Sequence, residues 1–395
     1  LQLQGLIGTF SKTKSINPKI PTIGILRLSA IGDVTNALAA VTAIKKHEAE
    51  KQLIWFVGKT EYELLKQIKD IHFEIINKKK PFKEFLRLKK KFKNIEFESL
   101  LHMQRSIRCS LLSLALKSKR VIGFDKKRAK EFQSLFTKEA IETPKSAHAV
   151  DVFMEFAYKI SVPKTQQPEW DFGATKQQLD EAIKNLKLPQ KFISIVIAGS
   201  QEDRSWSHLN NAKVIEWIYV HTKLDVVLLG GPSEFEEQQK DKILNTLKAS
   251  KHRCDLKVKN LVGKTNLLQL LSVIKNSNLI ISPDTGPTHI ASALNTKTIG
   301  LYVHMPKEIT GPYNFLDTTV DKYSDAMKKY YNLKTQVKTK TEGMNHYDGI
   351  PKRLKNKPYA LNLIEPKDVI EILSKELDDN LAKTQNKFVK KEIDL

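Results

Sequence analysis

The sequence predicts an α/β protein made of two Rossmann-like parallel-sheet halves. Three observations carry that expectation. Short apolar runs alternate with helical periodicity along most of the chain. Residues 22–28, 34–46 and 53–57 read as strand, helix and strand, the βαβ unit of a parallel sheet. After a polar, proline-punctuated stretch at 162–168 the same alternation begins again, and 395 residues are enough for two such domains.

Residues 1–20 read as a loose arm. In 22–28 the apolar side chains make a buried strand, and Ser29-Ala30-Ile31-Gly32-Asp33 makes a turn. Val34, Leu38, Val41 and Ile44 then fall at helical spacing. The strand at 53–57 stops at Gly58. Alternation continues with a strand at 73–76, a basic amphipathic helix over 82–92, a strand near 97–101, a helix over 105–117 and a strand end at 121–124. Residues 150–160 read as a helix. In the second half, helices are expected over 176–186, 214–221, 237–247 and 267–274, and strands over 192–197, 225–229, 279–281 and 298–302. The lysine-rich residues 321–360 lack apolar periodicity and read as irregular, whereas Pro366, Val369, Ile370, Ile372 and Leu373 mark a helix over 366–377. The expected domains are therefore an arm (1–20), a first domain (21–162), a linker (163–175), a second domain (176–320), an irregular segment (321–360) and a C-terminal helix and tail (361–395).

Composition narrows the class. The chain is 41% apolar and 28% charged, as globular proteins are. No apolar run approaches the roughly 18 residues that a membrane-spanning helix needs. The first residues lack a basic leader, so no signal peptide is expected. Cys109 and Cys254 are the only cysteines and lie far apart, which predicts structural thiols in a reducing compartment rather than a disulfide or zinc framework. The net charge of +22 is concentrated: residues 78–130 hold 18 Lys and Arg against four acidic residues, a net of +14. Such a face attracts polyanions. No nucleic-acid module is present, so the expected partner is an anionic membrane surface or phosphorylated lipid, and no nucleic acid.

Ligands of doubly wound sheets sit at the carboxyl ends of strands. Gly32-Asp33, Gly199-Ser200, Gly230-Gly231 and Asp284-Thr285-Gly286 all fall there. The stretch 282–294 is the most informative. A buried strand leads into a turn and a short helix with Pro287 in its first turn, and Asp284, Thr285 and Thr288 are candidate caps. Such a helix start offers N–H groups and partial positive charge to a phosphate. No dinucleotide fingerprint, phosphate-loop lysine, paired-histidine zinc motif or serine-nucleophile elbow occurs. Asp33 is then either a general base for a hydroxyl or a helix N-cap. His289 is expected to hydrogen-bond its own turn, and His148 to contact a substrate or cap a helix.

The segment Ile25-Leu26-Arg27-Leu28-Ser29-Ala30-Ile31-Gly32-Asp33-Val34 resembles the N-terminal signature of the ADP-heptose:lipopolysaccharide heptosyltransferases, glycosyltransferase family 9. Asp284-Thr285-Gly286-Pro287-Thr288-His289, with Ala291 and Ala293, resembles that family's donor-site signature. Arg204-Ser205-Trp206 and Gly230-Gly231-Pro232-Ser233-Glu234 fall where the family has its other donor loops. The resemblance runs from about Thr22 to Tyr313 and resumes at Leu363 to Leu373, closest to the type I enzymes. Two departures stand out: Ser207 follows Trp206 where the family usually has Pro, and Val303-His304-Met305-Pro306 replaces a common Gly-Pro-Thr turn.

The resemblance implies a GT-B architecture, an acceptor domain followed by a nucleotide-sugar domain across a cleft. It implies inverting transfer of heptose from ADP-L-glycero-D-manno-heptose to the Kdo of lipid A–Kdo, with neither metal nor cofactor, on the cytoplasmic face of the inner membrane. Asp33 matches the catalytic base. On the donor side, Ser200 matches a phosphate-contacting hydroxyl whose partner is absent at Gly199. Arg204 stands where type I enzymes carry Lys, Glu234 matches a ribose ligand, and Asp284 a heptose ligand. Thr285 and Gly286 match the diphosphate-contacting backbone, with His289 beside them. On the acceptor side the expected residues are Ser29, Gly32, Gln104, Arg105, Arg108 and His148. Two other readings stay open: a GT-B transferase using another nucleotide sugar or adding a later core heptose, and a non-catalytic polyanion-binding protein.

Overall fold

A computed structural model describes residues 16–199, 202–222, 224–250, 257–331 and 353–377. The chain divides into two compact units: one is the chain up to Ser29 with Ile44–Ile141, the other Ala30–Ala43 with the chain from Glu142 on.

The first unit holds a six-stranded sheet of β1 (Thr22–Leu26), β2 (Gln52–Gly58), β3 (Ile71–Ile76), β4 (Glu96–Leu101), β5 (Lys117–Gly123) and β6 (Glu139–Ala140), in the order β3-β2-β1-β4-β5-β6. The second unit holds β7 (Phe192–Val196), β8 (Asp225–Leu229), β9 (Val258–Asn260), β10 (Leu279–Pro283), β11 (Thr298–Tyr302) and β12 (Val320–Asp321), in the order β12-β11-β10-β7-β8-β9. All pairings are parallel. Counted from its own first strand, each sheet has the same order, with first and fourth strands side by side at the centre. The expected pair of parallel-sheet halves is therefore present.

The central strands read as unbroken apolar runs because both faces of a parallel sheet are covered. β1, β7, β10 and β11 are buried throughout. Ile25 pairs with both Trp55 and Leu101, and Ile281 with both Ile299 and Ile195. Truncating such an isoleucine to alanine costs roughly 2–5 kcal/mol. In the second unit the core extends to the C-terminal segment: Leu354, Leu361, Ile364, Val369 and Leu373 belong to the same buried cluster as the side chains of β7, β8, β10 and β11. The indole of Trp206 donates to the Ile364 carbonyl at 2.9 Å.

Several elements differ from expectation, each for a local reason. The first helix spans Ile31–His47, not 34–46, because the Ala30 carbonyl already accepts the Val34 N–H at 2.8 Å. Asp33 consequently lies inside the first turn and is not the N-cap. The helix expected from 214 begins at His208, since the Ser207 side chain accepts from the Asn210 N–H at 3.1 Å and starts it there. That explains a serine after Trp206. The helix expected over 105–117 is shorter, Ile107–Ser113, because β5 pairing takes the chain from Lys117. The segment expected to be irregular carries a helix, Tyr323–Tyr331, whose buried Tyr323, Ala326 and Met327 form a helical stripe among the lysines. Among the described residues no helix is long and apolar enough to cross a membrane.

Candidate functional site

The turn after β10 is built by hydroxyls. Ser282 Oγ lies 2.7 Å from Thr288 Oγ1 and 3.3 Å from Thr285 Oγ1. Both threonine hydroxyls donate to the Pro283 carbonyl. Thr285 occupies the N-cap position of the helix Gly286–Ala293, yet its hydroxyl is turned inward and no side chain caps the helix. The expectation of a capped start is corrected accordingly. The result is a helix N-terminus without a side-chain cap, whose dipole favours an anion; Pro287 carries no N–H, and the Thr288 N–H donates to the Thr285 carbonyl at 3.2 Å.

Asp284 sits beside that start, its side chain 9% exposed. His289 Nε2 is 3.6 Å from Asp284 Oδ1, and Arg353 Nη2 is 3.4 Å from Oδ2. Burial works against the charged carboxylate, but the His289 hydrogen bond and the charges of Arg353, His289 and Arg204 outweigh it and hold its pKa below the usual range. His289 thus faces the carboxylate of its turn. Arg353 escaped sequence reasoning because it lies in the tract read as irregular. The available signal was its type: within 321–360 it is the one arginine among nine lysines.

The first helix reaches this turn within the same unit. A Cβ on Gly32 would overlap the His289 ring, lying 3.0 Å from Nε2, and a Cβ on Gly286 would lie 2.8 Å from Ile31 Cγ2. Both contacts require glycine. They bring two helix starts together, one of which carries the exposed Asp33 in its first turn. Trp170, from the segment expected as a linker, donates its indole N–H to the Thr35 carbonyl at 2.8 Å in the same helix.

The loop after β7 completes the cluster. A Cβ on Gly199 would lie 3.2 Å from Thr285 Cγ2 and 3.3 Å from Arg204 Cβ. The Gly199 N–H donates to Ser205 Oγ at 3.2 Å, and buried Trp206 anchors the following residues. Ser200 lies outside the described residues, as does Cys254. Glu234 opens the helix Glu234–Lys248 after β8, exposed, with Gln238 donating to it at 3.2 Å. The buried carboxylate of that loop is instead Glu236, which accepts from the Gly231 N–H at 2.7 Å and the Ser233 hydroxyl at 2.6 Å.

The remaining predicted residues are distributed between the units. In the first, Gln104 Oε1 accepts from the N–H groups of Leu28 and Ser29, at 3.1 and 3.4 Å. Arg105 lies over the Phe124 ring at 5.3 Å, and Arg108 is exposed. In the second, His148 caps the helix Ala149–Lys159: its Nδ1 accepts from the Val150 N–H at 3.1 Å. The proton must then sit on Nε2, which donates to the Gly311 carbonyl at 2.9 Å. Burial pushes its pKa down to about 4, so it is neutral and fully engaged by the protein. Among the described residues no group of three or more His, Cys, Asp or Glu side chains is placed to hold a metal ion.

Two parallel six-stranded sheets of identical winding, with the candidate loops at their central strands, define the GT-B class of α/β transferase fold. Comparison with known proteins narrows the class. The sequence model of glycosyltransferase family 9 (heptosyltransferase) matches residues 85–346. The lipopolysaccharide core heptosyltransferase OpsX of Haemophilus influenzae is 37% identical over 324 residues, 81% of this chain and 91% of that protein. Among solved structures, a family 9 glycosyl transferase from Veillonella parvula aligns over 92% of this chain and 99% of its own, with TM-score 0.68 and 14% identity. The E. coli heptosyltransferase WaaC with ADP-2-deoxy-2-fluoro heptose aligns over 79% of this chain and 99% of its own, with TM-score 0.58 and 18% identity. The chain belongs to glycosyltransferase family 9, the heptosyltransferases.

Proposed function

We propose that this chain transfers heptose from ADP-L-glycero-D-manno-heptose to the Kdo of the lipopolysaccharide inner core, with inversion, without a metal, and with Asp33 as general base. Asp33 takes the proton of the acceptor hydroxyl, whose oxygen attacks the anomeric carbon. The bond from that carbon to the diphosphate oxygen breaks, and ADP leaves with the negative charge. The uncapped start of Gly286–Ala293 and Arg204 receive that charge, with the Thr285-Gly286 backbone against the diphosphate. Asp284 holds the heptose, Glu234 the adenosine ribose, and Ser29, Gly32, Gln104, Arg105 and Arg108 the acceptor side, while His148 serves as a structural cap. The observation that carries the reading is the contact of Gly32 with His289, which sets an exposed carboxylate beside an open helix N-terminus. The OpsX and WaaC relatives support heptose as the sugar and ADP as its carrier.

The acceptor is a glycolipid, and the first unit offers a face for its membrane. Lys79, Lys80, Lys83, Lys89, Lys90 and Lys93 are exposed on and around the helix Pro81–Lys91, which also exposes Phe82 (75%) and Leu86 (52%). Cations beside exposed apolar side chains suit the cytoplasmic surface of an anionic membrane. The test is to incubate the protein with lipid A–Kdo and ADP-heptose in chelator and follow the acceptor by mass spectrometry. The expected result is a gain of one heptose and release of ADP. A gain only from another nucleotide sugar, or none, overturns the assignment.

A further inference from the structure

Arg353 and Asp284 meet in a way that leaves both unfinished. Nη2 of Arg353 is 3.4 Å from Oδ2 of Asp284, near enough to pair the charges. Among the described residues two buried atoms of this pair have no hydrogen-bond partner: Oδ2 of Asp284, an acceptor, and Nη1 of Arg353, a donor. Buried polar atoms are almost always satisfied, and a charged acceptor beside a charged donor is a demanding exception. Position does not explain it as looseness. The neighbouring Leu354 is 1% exposed, and its N–H donates to the His304 carbonyl at 3.0 Å, so the backbone that presents Arg353 is fixed to the core.

The chemistry of the two atoms selects their ligand. A phosphate oxygen only accepts, and the carboxylate repels it. An ammonium only donates, and the guanidinium repels it. A hydroxyl does both, accepting from Nη1 while donating to Oδ2. We propose that Asp284 and Arg353 together grip one hydroxyl of the sugar carried by the nucleotide donor, which makes Arg353 a specificity-determining residue of that subsite. The inference rests on reading the turn after β10 as the donor site. Arginine matters as a type: its fork keeps one nitrogen on the carboxylate and a second for the ligand, whereas a lysine ammonium is a single point charge that settles on Oδ2 and occupies it.

The experiment measures calorimetric affinities of ADP and of ADP-heptose for the wild type, Arg353→Gln and Arg353→Lys, with a melting curve for each. ADP lacks the sugar and ADP-heptose carries it. For both variants ADP affinity should stay within about two-fold, while ADP-heptose affinity falls by roughly ten-fold or more, as for a lost charge-assisted hydrogen bond. The lysine variant keeps the charge beside Asp284, so the inference remains testable if the glutamine variant does not fold. Equal losses for both ligands place Arg353 on the nucleotide and overturn the inference, as does no loss for either. Wild-type protein that binds neither ligand overturns the donor site itself, an outcome read independently of the variants.

Discussion

Gly32 lies against the imidazole of His289, so that a Cβ at position 32 would overlap the ring edge and come within 3.0 Å of Nε2. The ring is not free to move aside, because Nε2 also faces Asp284 Oδ1 at 3.6 Å and the side chain is 8% exposed. The contact ties the helix that carries Asp33 to the helix start beneath Asp284.

Gly32→Ala tests that contact through its sign. In an open helix position the change stabilises by roughly 0.5–1 kcal/mol. Here it should destabilise, by about 1–3 kcal/mol as an overpacked site does. In a His289→Ala background the same change should become neutral or stabilising, because the obstacle is gone. Urea unfolding of the four proteins of this cycle gives the coupling directly. Additive effects would mean that the two residues do not touch in solution.

The basic face should act without the donor site. Replacing Lys79, Lys80, Lys89 and Lys90 with Gln should weaken pelleting with anionic liposomes by about ten-fold or more, since each lysine near such a surface contributes ~1 kcal/mol. ADP affinity should hold within two-fold. Lys78 and Lys91 are left alone because they pair with Glu61, at 3.2 Å, and Glu74, at 2.5 Å. Phe82→Ser with Leu86→Ser should leave a residual binding that high salt abolishes. Unchanged pelleting in either variant places membrane contact elsewhere.

Acid should destabilise the first unit through a histidine outside the candidate site. His102 is buried, its Nδ1 accepting from Gln133 at 2.9 Å and its Nε2 donating to Ser110 at 3.1 Å. Burial pushes its pKa down from 6.5 to about 4. Below pH 6.5 the unfolded chain binds a proton that the folded chain refuses, so stability falls as pH drops from 6.5 towards 4. The difference is on the order of 3 kcal/mol at the lower end. Proton NMR of the imidazole should show it neutral at pH 5 in the folded protein. A midpoint near the ordinary value would refute the buried assignment.

How much of this was legible in the sequence depends on where the information lay. β8 and β11 match the expected bounds at 225–229 and 298–302, because both are apolar runs that end at the sheet's edge of burial. β9 and β12 were not legible. Val258–Asn260 and Val320–Asp321 are strands only because β8 and β11 offer them backbone partners, a fact that their own side chains do not encode. The candidate loops were visible as motifs, but their placement together was not. Gly32 and His289 are 257 positions apart, and nothing local states that one needs the other to be small. Arg353 was hidden for a related reason: a tract without apolar periodicity gives no register, so a single side chain in it cannot be aimed by pattern.

The central claim is that Asp33 is the general base, and Asp33→Asn tests it most directly. The residue is exposed in the first helical turn, where its charge contributes ~0.3–1 kcal/mol through the helix dipole. The substitution should therefore barely change the melting curve or ADP affinity. Asparagine cannot accept the proton, so turnover should fall by roughly 10²- to 10⁴-fold. The measurement is ADP release with lipid A–Kdo at saturating ADP-heptose. Turnover within a few-fold of the wild type would contradict the account and leave Asp33 a structural residue.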